Sequence, residues 1–244
     1  MIRSAGLILL KVRLLFGIEG GGMTRINMTT EEHAALWRRR LFEAEAGMTN
    51  YLLNAHGERH LAAWMDVRSK IFHELPSATN GSADEWKSVF FRAQALLERF
   101  LVGLFGHEAM TDWARSNAEV LRLLDEEGGQ GPVPAVRRIA QQAELYDSTY
   151  TITERSSERS TVQIDRCAIW IYREKARARG VPITLGSPCE YCTRAMAEIV
   201  RAKGCTPNYE LLDNGGVRGC RWTAIAARLR PPAFPAPRQV VAAQ

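Results

Sequence analysis

Cysteine is absent from the first two thirds of this 244-residue chain, and all five cysteines lie between Cys167 and Cys220. Histidine is absent from the other end, since none follows His107. A cysteine–histidine catalytic pair would therefore require the N-terminal half to fold over the cysteine-containing half. An odd number of cysteines without a convincing secretion signal argues against a disulfide-stabilised secreted domain and predicts a cytoplasmic protein.

Long apolar runs and stretches of one charge sign are also missing. Lys11 and Arg13 interrupt the apolar N-terminal segment, so the sequence predicts no membrane-spanning helix. The net charge is +5, but the arginines alternate with Glu and Asp instead of forming one basic stripe. Nucleic acid is therefore not expected as a partner. The expected partner is a small-molecule substrate, and assembly into a homo-oligomer stays open.

The chain divides into four predicted regions. Residues 1–28 are expected to be a loosely attached extension, and residues 230–244 a proline-rich tail. Residues 29–146 show apolar positions at helical spacing, with capping boxes at Thr29 with Glu32 and at Ser82 with Glu85. Residues 147–229 contain two β-branched runs, two helical segments and two further strand-like runs. This pattern predicts an α+β fold, with a helical N-terminal half packed on a small, mostly antiparallel sheet with two helices.

The cysteines are placed beside helix and strand starts. Pro188 opens a predicted helix, so Cys189 falls in its first turn and Cys192 follows one turn later. Cys167 precedes another helix and Cys220 begins a strand, so the four could converge at one end of the sheet. Neighbouring arginines and the helix N-terminus favour thiolates, which act as nucleophiles or as metal ligands.

Three segments form an ordered signature: DRCAIWIYREKARARG, SPCEYCTRAMAEIVRAKG and ELLDNGGVRGCRW. This signature resembles the L-2-amino-thiazoline-4-carboxylic acid hydrolase family and covers about residues 149–223. More distantly, it resembles the 4-vinyl-reductase-type small-molecule-binding domains. The first resemblance implies a hydrolase that opens a small cyclic amidine by cleaving a C–N bond. The chain departs from the family pattern at Cys192 and Arg221, where family members often carry Asp.

Two hydrolytic mechanisms are predicted with equal weight. In one, the Cys189 thiolate attacks the amidine carbon, and Cys192 or Glu190 serves as an acid or base. In the other, Cys167, Cys189, Cys192 and Cys220 hold a divalent metal such as zinc or iron that activates water. Arg221, Trp222 and Trp170 are the predicted substrate-binding residues.

Two further interpretations stay open. The protein could be a non-catalytic binding or sensor domain in which the cysteines ligate zinc for structure. It could instead be an iron–sulfur protein, although the cysteine spacing differs from that of a ferredoxin.

Overall fold

The computed structural model describes residues 25–124 and 128–227, and the fold is α+β as predicted. The first four helices are α1 (Thr30–His56), α2 (Leu61–Phe72), α3 (Ala83–Phe105) and α4 (Met110–Leu124), with a 3-10 turn at His107–Ala109 before α4. Then come α5 (Pro132–Leu145), β1 (Thr149–Arg155), β2 (Arg159–Arg166), α6 (Ala168–Ala178), α7 (Cys189–Ala202), β3 (Cys205–Asn214) and β4 (Val217–Ala226).

Both predicted capping boxes are present and fix where α1 and α3 begin. The Thr29 hydroxyl accepts from the Glu32 amide while the Glu32 carboxylate accepts from the Thr29 amide, and Ser82 with Glu85 repeats the arrangement. The helical half then closes around its tryptophans. The four indoles on α1 to α4 are at most 3% exposed and belong to one apolar core: Trp37, Trp64, Trp86 and Trp113.

The four strands form one antiparallel sheet in the order β1-β2-β4-β3. Helix α5 packs against one face of this sheet, where Tyr150, Val162 and Trp222 are buried against its alanines. The opposite face carries polar side chains. Thr161 and Thr223 are buried there, with their hydroxyls 3.1 Å apart.

Helix α7 joins the helical half to the sheet. Its Tyr191 ring stacks on Trp113 of α4 with centroids 4.3 Å apart, and Ile199 packs with Leu121 further along α4. On its other side, Val200 of α7 belongs to the core beneath the sheet. Helix α7 therefore contacts three apolar clusters, the helical core at its first turn and the other two near its C-terminal end.

The predicted extension and tail lie largely outside the described residues. The part of the extension that is described contacts the sheet, because the Ile26 amide donates to the Tyr150 hydroxyl at 2.7 Å. None of the helices in residues 25–124 and 128–227 combines the length and the apolarity required to cross a membrane.

Candidate functional site: a cysteine-lined cavity

A cavity opens between the sheet, α5 and the first turns of α6 and α7. Its empty volume is about 660 Å³ when the open space at the mouth is counted. We call it the cysteine cavity, because four of the five cysteines line it: Cys167, Cys189, Cys192 and Cys220. The fifth, Cys205, is 5% exposed in the core under the sheet and does not line the cavity.

Cys167 occupies the position just before α6. Its amide donates to the Arg218 carbonyl oxygen at 2.8 Å, which ties the end of β2 to the start of β4. Burial raises the pKa of its thiol, and the backbone N–H groups of Trp170 and Ile169 offset this only in part. Cys167 therefore presents a neutral thiol at the helix start.

Cys189 and Cys192 lie on the first turn of α7, as the proline before them predicts. The Cys189 amide donates to the Ser187 hydroxyl at 3.1 Å, and the Thr193 hydroxyl donates to the Cys189 carbonyl oxygen at 2.7 Å. Burial raises the pKa of Cys192 well above its ordinary value, and the nearby sulfurs of the other three cavity cysteines raise it further.

Cys220 reaches the cavity from β4, opposite Ile164 of β2 and Leu211 of β3. Burial raises the pKa of its thiol to about 12. The residue before Cys220 must be glycine, because a Cβ on Gly219 would lie 2.2 Å from the Ile164 carbonyl oxygen. Gly219 therefore permits the close approach of β2 and β4 that places Cys220 in the wall.

The thiolates expected from neighbouring cations and helix N-termini are not what the structure favours. For Cys167, Cys192 and Cys220, burial is the largest influence on the pKa and acts in the opposite direction. A sulfur anion without a partner is costly in an apolar cavity, and mutual repulsion between neighbouring thiolates adds to the cost. The prediction of a lowered pKa is wrong for these three thiols.

The predicted aromatic walls are found where the sequence places them. Trp170 and Trp222 both line the cavity, and Trp222 stacks on Tyr209 with centroids 4.7 Å apart. Arg221 differs, because it projects from the opposite face of β4. There it donates to Gln163 and forms an ion pair with Glu210.

Among the described residues, Arg218 is the arginine that lines the cavity, and it was not one of the predicted substrate-binding residues. Its guanidinium carbon lies 5.3 Å from the centroid of the Trp170 ring, and it forms a 2.7 Å ion pair with Asp213. Side chains alternate along a strand, so Arg218, Cys220 and Trp222 share one face while Arg221 faces away. That alternation was the available signal.

Glu190 stands apart from the cavity wall. It follows Cys189, but its carboxylate pairs with the imidazole Nδ1 of His107, just before α4. The helical half therefore does bring a histidine to the start of α7, and this histidine contacts Glu190.

A metal site is not preformed by these thiols. Within residues 25–124 and 128–227, no group of three or more His, Cys, Asp and Glu side chains has an arrangement that could hold a metal ion. All five cysteines are free thiols. The ligand role of Cys167, Cys189, Cys192 and Cys220 stays a prediction, which elemental analysis of anaerobically purified protein would test.

Comparison with known proteins adds little to this picture. No protein-family model matches the chain, and no curated protein matches it. The similar solved structures include two at 8% identity: one from work on modulating haem redox potential through protein-induced porphyrin distortion, and the unliganded Fe(II) H-NOX protein from K. algicida. The first covers 74% of this chain and 96% of its own at a TM-score of 0.38, and the second 78% and 97% at 0.36.

Proposed function

We propose that the protein binds a small, uncharged ring compound in the cysteine cavity. The observation that carries this proposal is the composition of the wall. Two indoles, several aliphatic side chains and four thiols line it, and among the described residues no Asp, Glu or His does. A cavity of this kind favours ligands that lose little hydration on entry.

The charges near the cavity fit the same proposal. Arg218 is the one ionised side chain among the described lining residues, and Asp213 already pairs with it. The raised pKa values of Cys167, Cys192 and Cys220 leave these thiols protonated at neutral pH. An uncharged ring in the cavity that Trp170 and Trp222 line would therefore meet neutral groups on nearly every side.

Calorimetry with bromobenzene and thiophene tests this binding. Wild-type protein should bind at least one of these probes in a 1:1 complex. Ala143→Leu fills space on the α5 wall and should weaken binding at least tenfold, whereas Ala143→Ser, which adds little volume, should keep it within about threefold. Binding that is absent from the wild type, or equal in both variants, would contradict the proposal.

Hydrolytic opening of a cyclic amidine is a second candidate, favoured by the position of Cys189 at the first residue of α7 on the cavity wall. In this mechanism the deprotonated Cys189 sulfur forms a bond to the amidine carbon. The ring C–N bond then breaks, and the departing nitrogen takes one proton from the neutral Cys192 thiol and one from the exocyclic amino group of the amidine. Water cleaves the resulting thioimidate, returns a proton to Cys192 and frees the Cys189 sulfur.

A matched cysteine pair tests this candidate. With 2-amino-thiazoline-4-carboxylate as substrate, Cys189→Ala should lower turnover at least a hundredfold, while Cys205→Ala should leave it unchanged. Intact-protein mass spectrometry should detect the covalent intermediate in wild-type protein. If the wild type binds bromobenzene but gives no product from this substrate, the hydrolase candidate fails and the binding proposal stands.

A further inference from the structure

A second cavity lies on the other side of the α7 start, among α1, α3, α4 and α5. We call it the charged chamber, and its empty volume is about 860 Å³ with the open space at its mouth. Five residues line both this chamber and the cysteine cavity: Gln142, Ile169, Pro188, Cys192 and Met196. Its other walls differ, because most of them come from the helical half.

Five ionised side chains line this chamber, three of them arginines and two of them glutamates. They are Arg40, Arg138, Arg173, Glu43 and Glu98. The positive groups therefore exceed the negative ones by one. Interactions between charges in such a partly dehydrated space are stronger than at the surface. The excess positive charge therefore favours the entry of an anion.

The two glutamates are already engaged. Glu43 accepts from Arg40 at 2.7 Å and from Arg138 at 2.8 Å, and its other oxygen accepts from Arg39 at 2.9 Å. Glu98 pairs with Arg173 and also accepts from Gln94 at 3.1 Å.

Arg40 is the side chain whose hydrogen bonds are incomplete. It is 4% exposed, its Nε donates to Gln142 at 3.1 Å and its Nη1 donates to Glu43. Its Nη2 is buried and has no hydrogen-bond partner among the described residues. A guanidinium keeps its charge at any ordinary pH, and an unpaired N–H on a buried cation is costly. This nitrogen requires an acceptor that the described chain does not supply.

We propose that the charged chamber is a binding site for a small carboxylate, which supplies the acceptor that the buried Nη2 of Arg40 lacks. This site goes beyond the proposed function, because the charged side chains that define it do not line the cavity that would hold the neutral ring. A single negative charge matches the excess of one guanidinium. A phosphate dianion would meet Glu43 and Glu98 without a second free cation to offset them.

Benzoate and benzamide form the matched ligand pair, since they share a shape and differ in charge. Calorimetry at low ionic strength should show that wild-type protein binds benzoate at least tenfold more tightly than benzamide, and more tightly than inorganic phosphate. Arg40→Gln should remove this preference. Arg39→Gln is the control, because Arg39 also contacts Glu43 but does not line the chamber.

Arg40→Lys gives a second test if Arg40→Gln fails to fold. It keeps the charge beside Glu43 but lacks the guanidinium fork, so benzoate binding should weaken. Thermal unfolding of wild-type protein needs no variant, and benzoate should raise the midpoint more than benzamide or chloride does.

Equal binding of benzoate and benzamide by the wild type would overturn the proposal, as would a preference for benzoate that survives in Arg40→Gln. Tighter binding of phosphate would overturn the assignment of a single charge. The result is independent of the cysteine cavity, because bromobenzene binding there should persist in Arg40→Gln.

Discussion

The cysteine cavity and the charged chamber share the wall formed by Cys192 and Gln142, yet they bury polar groups in opposite ways. In the cysteine cavity, burial raises the pKa of three thiols and so removes charge. In the charged chamber, glutamates and arginines pair with one another. A thiol can become neutral at modest cost, whereas a guanidinium cannot, so it must find a partner.

The largest effect is expected from breaking a pair in the charged chamber. Glu98 is 2% exposed and pairs with Arg173, so Glu98→Ala leaves a buried cation without its counter-charge. We expect the free energy of unfolding to fall by about 3–5 kcal/mol. Urea unfolding followed by circular dichroism measures it. Glu174→Ala removes a half-exposed partner of Arg177 and should cost about 1 kcal/mol or less. Equal losses in the two variants would contradict the account.

A smaller effect should come from the packing that closes the charged chamber. Gly47 of α1 faces Asn117 of α4, and a Cβ at Gly47 would lie 1.5 Å from the Asn117 Oδ1 atom. Gly47→Ala should therefore destabilise the fold by about 1–3 kcal/mol, measured by urea unfolding.

Gly103 is the matched helical control for Gly47. It lies on α3 with nothing within 4 Å of the added Cβ. Gly103→Ala should stabilise by about 0.5–1 kcal/mol, because alanine is the better helix former. A loss of stability there would show that helix context, rather than the contact with Asn117, explains the result at Gly47.

The buried thiols of the cysteine cavity should make the free energy of unfolding depend on pH. The folded pKa of Cys220 is about 12 against an ordinary 9.0, so the folded state keeps a proton that the unfolded state releases. The stabilisation is complete below about pH 9 and is lost as the pH rises toward 12. The slope approaches about 1.4 kcal/mol per pH unit for each such thiol.

Urea unfolding at pH 8 and pH 10 checks this prediction. Cys220→Ala should lower the loss of stability between these two pH values, because one titrating thiol is gone. Cys189→Ala gives a comparison at the same wall, and any general effect of alkaline pH is common to the wild type and both variants. An unchanged loss in Cys220→Ala would mean that Cys220 is not held neutral in the folded protein.

Much of this architecture is predictable from local signals. The capping boxes at Thr29 and Ser82 mark two helix starts, and Pro188 marks a third. The glycines of the turn between β3 and β4 predict where β3 ends and where β4 begins. These features depend on neighbours in the chain, so the sequence carries them directly.

Other parts of the site depend on tertiary packing. The pairing of His107 with Glu190 joins residues 83 positions apart, and no local pattern indicates it. Burial of the thiols depends on how α5 and α7 cover the sheet, so their pKa direction could not be inferred from neighbouring arginines alone. The wrong prediction that Arg221, instead of Arg218, lines the cavity did not depend on tertiary packing. Strand alternation alone would have placed Arg218, Cys220 and Trp222 on one face.

A crystal structure of the protein soaked with bromobenzene tests the central claim most directly, because anomalous scattering locates the bromine. The account predicts a bromobenzene ring in the cysteine cavity, in van der Waals contact with Cys192, Cys220 and Trp222. Bromine found elsewhere, or a cavity that collapses so that these side chains no longer share a wall, would contradict it.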